Sequence, residues 1–197
     1  MIALGILVLF FGCTEKCNQT LFPGKPLSEG DLVFRRGVGL ASRAVLTVDQ
    51  KGGGYSHVGI VVKDSGIWKV VHAVPGEPDR PGEPDRVKME PVEVFFSRDR
   101  AVSGAVMRVD ADRAIVSKAA RRAVRLYCDH VLFDHRYDRE DTTEMYCTEL
   151  VAFVYRRAGL DLTENKYSEI DFPGFSGLYI LPSDIQRSNY LKLIDSF

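Results

Sequence analysis

The sequence is poor in cysteine and carries almost no net charge, and both shortages restrict what the protein does. Only four of its 197 residues are cysteine, and 26 basic residues nearly balance 27 acidic ones, for a net charge of -1. So few cysteines do not make the framework of a disulfide-stapled domain, and no Cys-x-x-Cys pair indicates a zinc site. A balanced charge gives no basic field that would attract a polyanion. We therefore expect no nucleic-acid partner.

Long apolar runs are also scarce, and the exception lies at the N-terminus. Residues 2–12 are uncharged and apolar. They are too short to cross a hydrocarbon layer of about 30 Å as a helix, but they match the central region of a signal peptide. The following Gly12-Cys13 resembles a bacterial lipoprotein cleavage site, which makes Cys13 the candidate lipidated residue. We predict a leader over residues 1–17 and an exported protein, periplasmic or membrane-anchored through Cys13; the alternative is an N-terminal segment packed on a cytoplasmic domain.

The rest of the chain, 18–197, is predicted to be one domain that mixes strands and helices. A length of 197 residues is enough for a single domain with a substantial core. Strands are predicted at 32–34, 56–62, 67–73, 87–96 and 105–109, and helices at 38–48, 112–128 and 147–158. The polar repeat GEPDR, at 76–80 and 82–86, predicts a loop that forms part of a cleft rim. Helices beside a small antiparallel sheet give an α+β fold.

Cys147 is the candidate nucleophile because it stands at the predicted start of a helix. Unpaired N–H groups and the positive end of the helix dipole stabilise a thiolate there, and the same N–H groups can hold an oxyanion. The alternative is a buried structural cysteine, a common role on an apolar helix face. Cys128 falls at the far end of its helix, where the dipole opposes a thiolate, and is interpreted as structural.

His57 and His72 are the candidate base and its orienting partner. They lie on the two predicted strands of one hairpin, where facing side chains come within reach of each other. A base next to a thiol needs a second group to fix its ring, and another histidine can do this. Two unrelated histidines remain the alternative. A metal pair is also conceivable, but no nearby Cys or carboxylate has ligand spacing, and His130 and His135 belong to a polar loop, so we predict no metal site.

Four segments in a fixed order resemble a known family. They are GDLVF at 30–34, SHVGIV at 56–61, VHA at 71–73 and YCTELV at 146–151. This series resembles the permuted papain-like amidases, circularly permuted relatives of the NlpC-type cell-wall peptidases, with the YiiX-like proteins as the nearest group. In the permuted branch the His strand precedes the Cys helix, as it does here. The resemblance covers most of the chain after residue 30.

The resemblance implies a papain-like fold in circularly permuted order and assigns roles to individual residues. Cys147 matches the nucleophile, His57 the general base and His72 the third polar position. No metal or organic cofactor is implied. Four further residues are expected near the substrate: Phe133, Asp134, Tyr146 and Glu149. At the first of these positions the family commonly has a Tyr.

The implied activity is hydrolysis of an amide bond through a Cys-His-His triad and an acyl-enzyme. An exported enzyme of this kind implies a peptide or acyl-amide substrate, such as a peptidoglycan stem peptide or a γ-glutamyl-type linkage. Two alternatives stay open. A lipid or N-acyl hydrolase or acyltransferase would use the same thiol with another acceptor, and a binding module would use the cleft without turnover.

Overall fold

The computed structural model describes residues 19–49, 51–138, 141–172 and 175–197. The predicted leader, 1–17, and Cys13 lie outside these residues, so cleavage, lipidation and export stay predictions. Within the described part of the chain, no helix has both the length and the apolar character needed to cross a membrane.

Six antiparallel strands form the central sheet. They are β1 (Leu32–Gly37), β2 (His57–Asp64), β3 (Ile67–Ala73), β4 (Val87–Pro91), β5 (Ala101–Val109) and β8 (Leu191–Ser196), in the spatial order β4-β3-β2-β1-β5-β8. A separate hairpin consists of β6 (Ser168–Phe172) and β7 (Phe175–Tyr179). The helices are α1 (Leu40–Val48), α2 (Val92–Phe95), α3 (Arg113–Cys128), α4 (Cys147–Ala158) and α5 (Pro182–Gln186). The predicted α+β fold with an antiparallel sheet is confirmed.

Both faces of the sheet are covered, because successive side chains of a strand point to opposite faces. In β1, Leu32 and Phe34 join the larger core with α3 and α4, whereas Val33 joins a second core with α2. The same alternation places His57 and His72 on the α2 side of the sheet, where both contact the ring of Phe95. Helix α4, which begins at Cys147, lies on the other side.

Most predicted elements are present, with one clear error. The strand expected at 67–73 has those bounds, and α4 ends at Gly159, whose φ of 108° suits glycine. The strand expected at 87–96 is wrong in its second half, because β4 ends at Pro91 and the one-turn helix α2 follows. Proline has no N–H for the next ladder bond, and Val92 and Phe95, one helical turn apart, are both buried.

Gly59 of β2 gives a test of how closely the strands pack. A Cβ at this position would lie 2.3 Å from Cγ1 of Val70 and 3.1 Å from Cβ of His72. We expect Gly59→Ala to lower the free energy of unfolding by about 1–3 kcal/mol in urea titrations, because overpacking forces neighbouring groups apart. Gly39→Ala is the control, since a Cβ at Gly39 meets nothing within 4 Å. Equal stabilities of the two variants would contradict the close approach of β2 and β3.

Candidate active site

A cavity of about 630 Å³ opens where β2 and α4 begin, and Cys147 and His57 both line it. One wall comes from α1, through residues such as Ala44 and Val45. Tyr146, the residue before the candidate nucleophile, also lines the cavity. Two residues that lie 90 positions apart in sequence therefore share one cleft.

The rim of this cavity includes the first copy of the GEPDR repeat, through Gly76 and Glu77. Glu77 forms an ion pair with Arg35, with Oε1 2.6 Å from Nη2, and its other oxygen lies 3.1 Å from Nη1 of Arg100. In the second copy Glu83 pairs with Arg86, away from the cavity. The expectation that the repeat forms part of the rim holds for its first copy.

Cys147 is the first residue of α4, as predicted, but its electrostatics differ from the expectation. The side chain is half-buried. Burial raises the pKa of the Cys147 thiol to about 11, although hydrogen bonds from the backbone of Val58 and Thr148 act in the opposite direction. Loss of solvent therefore opposes the thiolate that the start of α4 was expected to favour, and the raised pKa favours the thiol near neutral pH.

His57 and His72 are brought together as the sequence predicted. Nε2 of His57 lies 2.8 Å from Nδ1 of His72, and the two residues are 6% and 0% exposed. Burial lowers the pKa of both imidazoles, and the positive charge of Arg35 lowers each of them further. Both rings are therefore neutral near pH 7.

The chain of hydrogen bonds continues to Glu90, which sequence reasoning missed. Nε2 of His72 lies 3.1 Å from Oε1 of Glu90. Although burial opposes ionisation, the bond with His72 and the charges of Lys88 and Arg100 hold the pKa of Glu90 well below its usual range. The signal that could have found it is the pattern Lys-x-Glu at 88–90, which places two charged residues on one face of a short strand next to the His72 strand.

The four predicted substrate residues divide into two pairs. Phe133 and Tyr146 line the cavity. Asp134 and Glu149 are not among the described residues that line it. The Asp134 carboxylate accepts the backbone N–H groups of residues 136 and 138. The buried Glu149 carboxyl accepts the N–H of Tyr146, and burial raises its pKa to about 8. These hydrogen bonds of both carboxyl groups are therefore to the backbone of the segment that precedes Cys147.

The other chemistry-bearing residues lie away from the cavity. His130 and His135 are exposed, as expected for a polar loop, and Cys128 is exposed at the end of α3 rather than buried as a structural cysteine. Among the described residues, no group of three or more His, Cys, Asp or Glu side chains is arranged to hold a metal ion.

The fold is similar to that of the metalloprotein YiiX from Escherichia coli O157:H7. Its crystal structure matches with a TM-score of 0.69 and 19% sequence identity, over 86% of this chain and 97% of that chain. No family model matches the chain, and a search of curated proteins found no match. The similarity shows a shared fold and agrees with the YiiX-like resemblance that the sequence motifs indicated.

The raised pKa of Cys147 predicts how the thiol responds to pH. Below the pKa, each pH unit increases the thiolate fraction about tenfold. We expect the rate of iodoacetamide labelling at Cys147 to rise continuously between about pH 6 and pH 10. The labelling is measured by peptide mass spectrometry. Cys147→Ser identifies background labelling. A plateau near neutral pH would instead show a preformed thiolate, contradicting the thiol assignment.

Proposed function

We propose that the protein is a cysteine hydrolase of amide-type bonds, with Cys147 as nucleophile, His57 as general base and His72 as the group that orients the base. One observation carries the proposal. The buried chain of hydrogen bonds through His72 ends at His57, on the wall of the cavity that Cys147 also lines. A nucleophile and a base in one cleft, with a buried group that orients the base, are the parts that acyl transfer to a thiol requires.

The mechanism follows from which ring nitrogen of His57 already forms a hydrogen bond. Nε2 of His57 is bonded to His72, so Nδ1 is the ring nitrogen left to receive the proton of the Cys147 thiol. The raised pKa of the thiol and the lowered pKa of His57 disfavour a resting ion pair. Proton transfer to Nδ1 therefore accompanies formation of the sulfur–carbon bond at the substrate carbonyl.

The remaining steps use the start of α4 and the same imidazole. The carbonyl electrons move to oxygen, and the backbone N–H of Cys147 donates to the resulting oxyanion. His57 returns the proton to the departing amine as the carbon–nitrogen bond breaks. It then takes a proton from water as the water oxygen attacks the thioester carbonyl, and it returns that proton to the sulfur as the carbon–sulfur bond breaks, which releases the acid and restores the thiol.

The fold supports this assignment at a coarser level. The base strand β2 precedes the nucleophile helix α4 in the chain, which is the order of the permuted papain-like branch. The solved neighbour YiiX is described as a metalloprotein. In this chain both ring nitrogens of His72 are used in hydrogen bonds, and the described residues form no ligand set, so no step of the proposal passes through a metal.

We place the substrate among peptides and acyl amides, with peptidoglycan stem peptides and γ-glutamyl linkages first. This part of the proposal depends on the family resemblance and on the predicted leader, which would carry the enzyme to the cell wall, free or attached to the membrane through Cys13.

The hydrolase is tested by incubation with muropeptides, γ-glutamyl peptides and N-acyl amino acids, read by mass. We expect cleavage of at least one class, and no turnover by Cys147→Ala because no sulfur is left to attack. His57→Gln should lose about 10²–10⁴-fold, the usual contribution of a general base. The exposed Cys128→Ala is the matched control and should retain full activity. Turnover retained by Cys147→Ala would refute the mechanism.

A second candidate is a lipid or N-acyl hydrolase or acyltransferase, and the cavity wall favours it. None of the nine residues of α1 is fully buried, although Ala44, Val45 and Val48 face the cavity. Ile180 and Leu181 line it as well. A largely apolar wall suits an acyl chain, since binding buries apolar surface on both partners.

The acyl-chain candidate is tested by a charge in the apolar wall. Val45→Asp should lower kcat/KM about tenfold or more for long-chain N-acyl amino acids, with little effect on short-chain ones, because an aspartate beside the chain loses its solvation. Arg43→Asp, on the exposed side of α1, is the control. Reactions in isotope-labelled water with added amines separate hydrolysis from acyl transfer, because the product shows which acceptor received the acyl group. Equal losses for long and short substrates would rule out an acyl-chain role for this wall.

A further inference from the structure

We infer that Glu90 is a positioning residue that fixes the tautomers of His57 and His72, so that both rings carry their proton on Nε2. Glu90 is 7% exposed and is the last member of the buried hydrogen-bonded chain. Its catalytic consequence rests on the proposed function, whereas the tautomers themselves rest on the geometry of three neighbouring strands.

The two oxygens of Glu90 have different partners. Oε2 lies 2.8 Å from Nη1 of Arg100 and 3.3 Å from Nζ of Lys88. Oε1 lies 3.1 Å from Nε2 of His72. Two cations therefore hold one side of the carboxylate, and the other side is directed at the imidazole. An anion in this position has only lone pairs to offer.

The direction of each hydrogen bond follows from that anion. A carboxylate only accepts, so Nε2 of His72 must donate to Glu90. A neutral imidazole has one N–H, which leaves Nδ1 of His72 as an acceptor. Nε2 of His57, 2.8 Å away, must then donate to it. The proton of His57 is thus on Nε2, and its Nδ1 has a free lone pair. This is the state that a base for the Cys147 thiol needs.

The cations are themselves held in place, which keeps the carboxylate from turning. Lys88 also donates to the backbone oxygen of Glu77, at 3.0 Å, and lies 3.6 Å from Asp79. Arg100 also lies 3.1 Å from Glu77. Both donors therefore stay directed at Oε2 of Glu90. A group at residue 90 that can both donate and accept would turn its acceptor toward them.

We therefore predict that Glu90→Gln keeps the hydrogen bonds between residue 90, His72 and His57 but reverses which partner donates in each. Its amide oxygen would face Lys88 and Arg100, and its NH₂ would face His72. Nε2 of His72 must then accept, which moves the His72 proton to Nδ1 and, through the 2.8 Å bond, the His57 proton to Nδ1. A base that already carries the proton cannot take one from Cys147. We expect a loss of about 10³–10⁴-fold in kcat, as for a wrong histidine tautomer in other triads.

The test is nuclear magnetic resonance of protein labelled with ¹⁵N in its histidines. The chain has four histidines, and His57→Gln and His72→Gln assign the two that matter. Long-range proton–nitrogen correlation distinguishes the Nε2–H form, the Nδ1–H form and the doubly protonated cation. Near pH 7.5 we expect the Nε2–H form for both rings in the wild-type chain. We expect the Nδ1–H form in Glu90→Gln and no change in Glu93→Gln, an exposed glutamate of α2.

The outcomes separate the inference from the function. A wild-type spectrum with His57 or His72 as the Nδ1–H form or as a cation would overturn the inference, as would unchanged tautomers in a folded Glu90→Gln. If Glu90→Gln does not fold, the wild-type spectrum alone decides. Expected tautomers in a protein that cleaves none of the substrates would refute the hydrolase and leave the role of Glu90 standing.

Discussion

The hydrogen-bonded chain from Glu90 through His72 to His57 is the constraint on which the rest of the site depends. Each residue comes from a different strand, and the three strands β4, β3 and β2 are neighbours in the sheet. Lys88 stands opposite His72 in the register, so Glu90 reaches it from the diagonal position. Gly59 lies beside His72, and a Cβ there would come within 3.1 Å of Cβ of His72, so the absence of a side chain lets the two strands approach. The distances between these three side chains are therefore set by the hydrogen-bonded backbones of neighbouring strands, which are stiff, rather than by a loop.

Burial gives this arrangement its chemical character. Ionised groups are costly inside a protein unless they are paired, and here Arg35, Lys88 and Arg100 alternate with Glu77 and Glu90. These ion pairs balance one another's charges. Burial lowers the pKa of both imidazoles, although the Glu90 carboxylate acts in the opposite direction on His72. The same loss of solvent raises the pKa of the Cys147 thiol. These environments therefore favour the uncharged form of both kinds of side chain.

The sequence was informative where a pattern has a single physical cause. The hairpin with its two histidines, the helix that begins at Cys147 and its end at Gly159 all follow from β-branched runs, helical periodicity and glycine. The direction in which a side chain points was harder to predict from the sequence. Asp134 and Glu149 are close to Cys147 in sequence, yet their carboxyl groups bind backbone N–H groups. Sequence proximity does not report which way a side chain points.

Charge in a strand was the other source of error. Polar residues in short strands are usually interpreted as solvent-facing, so Glu90 gave no signal by itself, although it is buried. Strand β8, which pairs with β5 at the sheet edge, was also missed; it exposes Leu193 and has no clear alternation of burial. Its place is determined by pairing with a distant strand, which local patterns do not record.

Helix α1 covers the cavity without a single fully buried residue of its own. It is tied at its ends, where Ser42 donates to the carbonyl of Gly37 and Asp49 accepts from Ser183. Val48 packs against a small buried cluster that includes Ile170, whereas Val45 lines the cavity. A ligand with apolar groups would therefore bury apolar surface of this helix. Binding of such a ligand and ordering of α1 are then one thermodynamic event, so amide protons of this helix would exchange more slowly as the cavity fills. In that sense a bound ligand would act as a packing partner of α1.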